Sequence, residues 1–326
     1  MFVTRDTDIR GQLADWRERL ESTIAETDEG AHLAPLLREI NSTLERMNAR
    51  SYGICESCLE TINPRQMRAD PLSRYCLDCL TADQLEALER DLHKAREVQG
   101  EMLPKHQPGA GGWVFHYHYD PAGPVSGDYC DVVSLDGGDL FFLLGDVSGK
   151  GIASSILMAH LRAIFRSLIS FNLPINELVA RANQVFCESS ISAYYATLVC
   201  GRADSFGEIE ICNAGHCPPL LVSDGQITSL ESTGRPVGMF DNEQYSATRL
   251  RLSADDSLFL YSDGLTEARN PFDAEYGIER LSGLLWRHQA LSAQALVQTC
   301  LEDLKTFQSG NGQTDDLTMM AIQRVE

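Results

Sequence analysis

The chain has 326 residues, of which 27 are Lys or Arg and 47 are Asp or Glu, giving a formal net charge of −20. The length points to about two domains of roughly 100–200 residues each, and a hydrophobic content of 43% excludes wholesale disorder. So acidic a chain has no general affinity for a nucleic-acid backbone, whose charge Lys and Arg must neutralise, or for an anionic membrane surface.

The start, MFVTRDTDIRGQLADW, is polar and has no signal-peptide core. No uninterrupted apolar run reaches the ~18 residues of a membrane span. A cytoplasmic protein is expected, with no direct nucleic-acid partner and no membrane partner. Residues 1–50 read as a helical hairpin. Ile9, Leu13, Trp16 and Leu20 form one stripe, and Leu33, Leu36, Leu37, Ile40, Leu44 and Met47 a second, with a break at Asp28–Gly30.

Residues 51–80 carry Cys55-x2-Cys58-x17-Cys76-x2-Cys79. Each pair supplies two sulfurs from one tight turn, and two turns close a tetrahedron, which predicts one structural Zn²⁺. A closed four-sulfur site leaves no position for catalysis. It would stabilise a segment too small to hold itself together. The other six cysteines (Cys130, Cys187, Cys200, Cys212, Cys217 and Cys300) sit in apolar surroundings and read as buried hydrophobes.

Residues 81–103 read as a linker helix, with Thr81 as N-cap and Gln84 in the capping box. Leu85, Leu88, Leu92, Ala95 and Met102 follow a heptad in which Gln99 alone is polar. Two readings fit equally: a short coiled coil, or a helix packed on its own domain. Pro104, Pro108 and Gly109–Gly112 end the helix.

From Trp113 the texture changes to strands. A hairpin is expected over 132–135 and 140–144, with further strands at 195–201, 208–212, 220–222, 226–230, 245–252, 257–261 and 317–322. Helices are expected over about 152–170, after Pro174, near 278–286 and over 293–307. Antiparallel hairpins interleaved with paired helices predict an α+β sandwich rather than a doubly wound sheet.

Six acids occupy short, glycine-punctuated strand ends: Asp128 and Asp131 in SGDYCD, Asp146 in GDVSGKG, Asp263 in YSDGLTEARN, and Asp315 and Asp316 in TDDLT. Any one alone reads as a turn residue. Together, without accompanying His or Cys, they suit hard cations such as Mg²⁺ or Mn²⁺, and paired ions of that kind serve phosphoryl chemistry. GDVSGKG is not a phosphate-binding P-loop, because the spacing from Gly145 to Gly149 is one residue short. Lys150 is a candidate phosphate contact by position only, and a solvated lysine is the stronger reading. His216 in NAGHCPP reads as a buried turn histidine before it reads as a general acid.

Two resemblances sharpen this. The stretch LERMNARSYGICESCLETINPRQMRADPLSRYCLDCL resembles the zinc finger of the DksA/TraR family. That implies contact with RNA polymerase through acidic residues at a hairpin tip, here Glu26, Asp28 and Glu29. Over about 114–325, the pieces GDYCD, GDVSGKGIASSILMA, YATLVCG, NAGHCPPLL, GRPVGM, LFLYSDGLTEARN and TDDLTMMAI resemble the SpoIIE/RsbU-type branch of the PPM serine/threonine phosphatases.

The second resemblance implies an αββα sandwich over 108–326, two central antiparallel sheets flanked by helices. It implies that Asp146 bridges two Mn²⁺ or Mg²⁺ ions with the Val147 carbonyl as a further ligand. Asp128 would lie at the second ion, Asp263 and Asp315 would complete the site, and Asp131 and Asp316 would support it. Water activated between the ions would attack a phosphoserine or phosphothreonine phosphorus in line. The implied substrate is a STAS-domain anti-anti-sigma factor, and the implied assembly a homodimer through the linker helix. Two alternatives accompany this: a polymerase-binding regulator carrying the phosphatase domain as an appendage, and a finger that gates the phosphatase through the linker helix.

Overall fold

The chain divides into two compact units, Met1–Arg90 and Asp91–Glu326, each with its own apolar centre. The structure is a computed structural model that describes residues 3–26, 34–79, 82–105, 111–189 and 194–325. Asp28 and Glu29 of the expected tip, Leu33 of the second stripe, the Thr81 cap, and residues 108–110 lie outside the described residues.

In the first unit, helices α1 (Val3–Glu26) and α2 (Ala34–Asn48) form the expected antiparallel pair. Leu13 of α1 packs against Ile40 and Leu44 of α2, and Arg10 in the first half of α1 donates to Asn48 Oδ1 at the end of α2, 2.6 Å. The apolar stripe is narrower than its sequence suggests, since Trp16 stands 46% exposed.

Arg46, buried in the last turn of α2, carries the chain into the cysteine segment. Its guanidinium donates to the carbonyls of Leu72 (3.2 Å) and Ser73 (3.1 Å) and to Thr43 Oγ1 (3.0 Å). Between the two cysteine pairs lies a short helix that was not expected, α3 (Pro64–Ala69). Its start is nonetheless legible, because Asn63 caps the Arg65 N–H and Pro64 occupies the first turn. Helix α4 (Ala82–Met102) follows.

Among the described residues, the second unit holds ten strands in two five-stranded antiparallel sheets. One runs in the order β1 (Trp113–Asp120), β10 (Leu317–Arg324), β9 (Ser257–Tyr261), β6 (Leu220–Ser223), β7 (Gln226–Ser229). The other runs β2 (Asp128–Ser134), β3 (Leu140–Val147), β4 (Ala196–Ala203), β5 (Glu208–Ala214), β8 (Thr248–Arg251). Helices α5 (Ile152–Leu168) and α6 (Ile175–Ser189) cover the outer face of the second sheet, and α8 (Ile278–Arg287) and α9 (Ala293–Gln308) that of the first. A short helix α7 (Asp263–Thr266) follows β9.

Period-2 alternation builds these four layers. In β3, Leu140, Phe142 and Leu144 face the centre shared by both sheets, where they meet Leu258, Leu260, Met320 and Ile322. Phe141 and Leu143 face the opposite way, against Met158, Leu161 and Phe165 of α5. A strand buried on both faces reads as a continuous apolar run, as LFFLL does. The stretch Ile152–Phe171 is, among the described residues, the one helix long and apolar enough to cross a membrane by length and composition. Here its apolar side is the inner face of a core helix.

Gly145 sits where β3 and β4 approach closely. A Cβ there would lie 2.9 Å from both Leu198 Cβ and the Thr197 carbonyl oxygen. Gly145→Ala should therefore destabilise the sandwich by about 1–3 kcal/mol, read as a lower midpoint in denaturant unfolding.

Candidate functional site

The acidic strand ends converge at one edge of the sandwich. Asp128 opens β2 and stands directly opposite Asp146 of β3 in the ladder. Asp263 follows β9 and Asp315 precedes β10, which are paired neighbours in the other sheet. Hydroxyls stitch the two sheets together here. Thr318 Oγ1 donates to Asp128 Oδ2 (2.5 Å), and Ser262 Oγ accepts from the Thr318 N–H (3.0 Å). Neither hydroxyl was singled out in the sequence, although each lies within one of the acidic motifs, YSDG and TDDLT.

The carboxylates feel one another. Burial first, then Asp128, Asp263, Asp315 and Asp316, push the Asp146 carboxyl up to about 8. Burial likewise pushes Asp128 up to about 7, with Asp316 and Asp263 adding to it and the hydroxyls of Thr318 and Ser262 opposing. Asp263 is raised by burial and by Asp315, and Glu267, one turn further on, is raised by burial and by Asp263. Among the described residues, one cation answers them directly: Lys150 Nζ lies 2.8 Å from Asp315 Oδ2 and donates to the Thr314 carbonyl at 2.9 Å.

The remaining expectations separate. Asp316 accepts from the backbone N–H groups of Ala122 (2.8 Å) and Gly127 (2.9 Å), so it fixes the loop leading into Asp128. Asp131 points elsewhere. It takes both ends of the Arg166 guanidinium at 2.6 Å and the Tyr129 hydroxyl, which fastens α5 to β2 away from the cluster. His216 is buried. Its Nδ1 pairs with Thr197 Oγ1 at 2.8 Å, and its backbone N–H is held by Asn213 Oδ1 at 2.8 Å. Burial depresses its pKa to about 4, which favours the uncharged imidazole at neutral pH.

The donor set fits a hard cation. A Cβ on Gly127 would lie 2.9 Å from the Val147 carbonyl oxygen and 3.2 Å from Asp146 Oδ1, so these two oxygens face one small space that only glycine leaves open. Oxygen donors with mutually raised carboxyl pKa values are what a divalent ion relieves. The oxygens are spread more widely than the sulfurs of the finger. Among the described residues only Cys55, Cys58, Cys76 and Cys79 bring three or more metal-binding atoms within 4.8 Å of one another.

The thiolate cluster is built from two turns that bond to each other. The Glu56 N–H donates to the Arg74 carbonyl (3.0 Å), and the Arg74 guanidinium returns to the Glu56 carboxylate (2.8 and 2.5 Å). Cys58 and Cys76 sulfurs are 3.7 Å apart, and the Cys76 N–H points at Cys55 Sγ, 3.4 Å. Backbone N–H groups, that of Cys58 first, hold the buried Cys55 thiol down to about 6, which favours the thiolate a metal needs. Of the six other cysteines, Cys130, Cys200, Cys212 and Cys300 are buried in the sandwich, and Cys187 and Cys217 are half-buried.

Helix α4 decides between its two readings at its C-terminal end. Gln99, the one polar seam residue, is buried and makes a reciprocal pair with Ser126: Nε2 donates to the Ser126 carbonyl (2.8 Å), and Oε1 accepts from its N–H (3.0 Å). This end is packed on its own domain, two residues from Asp128.

The fold and the site define the class: a four-layer sandwich of the PP2C-type phosphatase architecture. The SiaA-PP2C domain of Pseudomonas aeruginosa superposes with a TM-score of 0.66 at 18% identity, covering 76% of this chain and 99% of that domain. The chain belongs to the Stage II sporulation protein E (SpoIIE) family, whose model matches residues 136–325.

Among curated relatives, Protein IcfG of Synechocystis sp. is 28% identical, with 72% of this chain matched to 41% of that protein. The phosphoserine phosphatase RsbU of Bacillus subtilis is 27% identical, with 63% of this chain matched to 61% of its own. The chain thus spans less than two thirds of the length of these relatives. In the first unit, 46 residues are 35% identical to the RNA polymerase-binding transcription factor DksA of Haemophilus influenzae, covering 14% of this chain and 32% of that protein.

Removing the Gln99 pair leaves two buried backbone groups of Ser126 without partners. Gln99→Ala should lower stability by about 1–3 kcal/mol and abolish hydrogen-exchange protection at the Ser126 amide. The raised carboxyls give a second prediction. A carboxyl whose pKa is higher folded than unfolded binds more protons in the fold, so stability is lost as pH rises towards the folded value. In chelator-treated protein, Asp146→Asn should therefore raise the melting temperature over wild type, by a margin that grows from pH 5 to pH 8.

Proposed function

We propose that the chain is a divalent-cation-dependent phosphatase that removes phosphate from serine or threonine of a protein. The observation that carries this is the convergence of Asp128, Asp146, Asp263 and Asp315, from two different sheets, at one edge where burial and neighbouring carboxylates raise the pKa of Asp128, Asp146 and Asp263. Asp146, the Val147 carbonyl, Asp128, Asp263 and Asp315 are the residues that would hold two Mn²⁺ or Mg²⁺ ions. Such ions supply a lowered proton affinity of water and offset charge on phosphoryl oxygens.

The chain's own residues do the positioning. Thr318 turns Asp128 by donating to its Oδ2. Asp316 and Gln99 hold the 126–128 loop from two sides through backbone groups, so the carboxylate of Asp128 is set by the fold rather than by its own rotamer freedom. The Val147 carbonyl is fixed because Val147 ends a strand paired on both sides. No nucleophilic side chain is required.

The substrate we favour is a phosphorylated STAS-domain anti-anti-sigma factor, consistent with the likeness to the phosphoserine phosphatase RsbU. The cysteine quartet is proposed to hold one structural Zn²⁺. A second copy of the chain is proposed to pair along α4, where Leu85 (39%) and Leu88 (45%) are left exposed. A contact with RNA polymerase through the first unit is a second reading, favoured by the match to DksA, which spans 46 residues.

The test is phosphate release from phosphorylated STAS proteins of the same genome. Release should need Mn²⁺ or Mg²⁺, stop with chelator, and fall on the order of 100-fold or more in Asp146→Asn. Asp131→Asn, by contrast, should lower stability while its purified folded fraction retains hydrolysis. Wild-type activity in Asp146→Asn would refute the two-cation site.

A further inference from the structure

The glycines of GDVSGKG place one lysine over the acid cluster. Gly149 (φ 92°) and Gly151 (φ 84°) both take left-handed backbone conformations that other residues adopt only at a cost, and Lys150 stands between them. From this turn between β3 and α5 its side chain crosses to the loop before β10. There the ammonium meets Asp315 Oδ2 at 2.8 Å and the Thr314 carbonyl at 2.9 Å. Among the described residues it is the one cation bonded to Asp128, Asp146, Asp263 or Asp315. Arg166, the other basic residue on a motif acid, is spent on Asp131.

The pair is not buried. The Lys150 side chain is 63% exposed and that of Asp315 38%, so the ammonium lies at the mouth of the cluster and is free to move on its flexible four-carbon stem. An exposed ion pair of this kind is held weakly, by less than about 1 kcal/mol. A divalent cation competing for the same carboxylate carries twice the charge.

We propose, on the basis that the acid cluster holds divalent cations as set out above, that Lys150 is an exchangeable internal counter-ion. It occupies Asp315 until a divalent cation takes that carboxylate, and then presents its freed ammonium to the phosphoryl oxygens of the substrate. The Thr314 carbonyl is the pivot, because it accepts from Nζ independently of Asp315 and keeps the charge at the mouth when the carboxylate is withdrawn. The arrangement supplies the phosphate-binding cation that the motifs otherwise lack. It also makes occupation of the Asp315 position and capture of phosphate successive uses of one side chain.

The test is calorimetry on the full chain, titrated with Mn²⁺ and then, once saturated, with inorganic phosphate. Lys150→Met keeps most of the stem and removes the charge. One of two Mn²⁺ steps should tighten about two- to fivefold, the other should not move, and phosphate should bind about tenfold more weakly. The gain at the step that tightens should shrink at high salt, where an exposed pair is screened. Lys150→Arg, which keeps the charge, should stay near wild type in both titrations. A wild-type chain that binds no Mn²⁺ overturns the cation site and the exchange with it. A wild type that binds two ions, with Lys150→Met equal to it at both steps or in phosphate affinity, overturns the exchange alone.

Discussion

Mutual repulsion among carboxylates is the constraint on which the second unit turns. Asp128 and Asp146 are ladder partners on adjacent strands, and Asp263 and Asp315 are brought against them from the other sheet. Left to itself, such a set would protonate or splay apart. The fold prevents the second outcome by locking each acid into a strand end or a helix start. Burial first, and then this repulsion, raises the pKa values of Asp146 and Asp128 towards the first. A site of this kind stores unfavourable electrostatic energy that cations relieve, which is a physical reason for affinity without any soft ligand.

Precision comes from uncharged groups. Thr318 bonds across the join between the sheets and is braced by Ser262, and Gln99 grips the loop before Asp128 through its backbone, helped by one carboxylate, Asp316. The helix that precedes the domain thus reaches within two residues of a candidate ligand. Asp131, in the same motif as Asp128, is spent instead on Arg166 and on attaching α5.

The first unit solves a different problem. Its apolar centre is small, with Leu13, Ile40 and Leu44 between the helices and Ile62 and Met67 in the finger. The buried Arg46, which ties α2 to the carbonyls of Leu72 and Ser73, adds a polar tie to this small core, and the four sulfurs gathered beside it could hold a metal. The two pairs of cysteines share one geometry because the turns that carry them are joined through Glu56 and Arg74.

The sequence alone determined a good deal. Alternation and turn residues located most strands of the sandwich and both helix pairs, because period-2 burial and glycine turns are local properties of the chain. The spacing of Cys55, Cys58, Cys76 and Cys79 specified a thiolate cluster for the same reason. The acids were legible as a set, since each sits in a short motif at the end of an apolar run. Tertiary structure alone decided which acids meet. Asp131 and Asp128 are three residues apart and look equivalent in sequence, yet only Asp128 stands opposite Asp146. Asp131 faces Arg166, which comes from a helix 35 residues away. Gln99 read as a flaw in a heptad seam until Ser126 was placed beside it. Lys150 read as a solvated lysine until the loop before β10 brought Asp315 to it. In each case the deciding partner is distant along the chain, and only the tertiary packing of helices and sheets puts it within hydrogen-bonding reach.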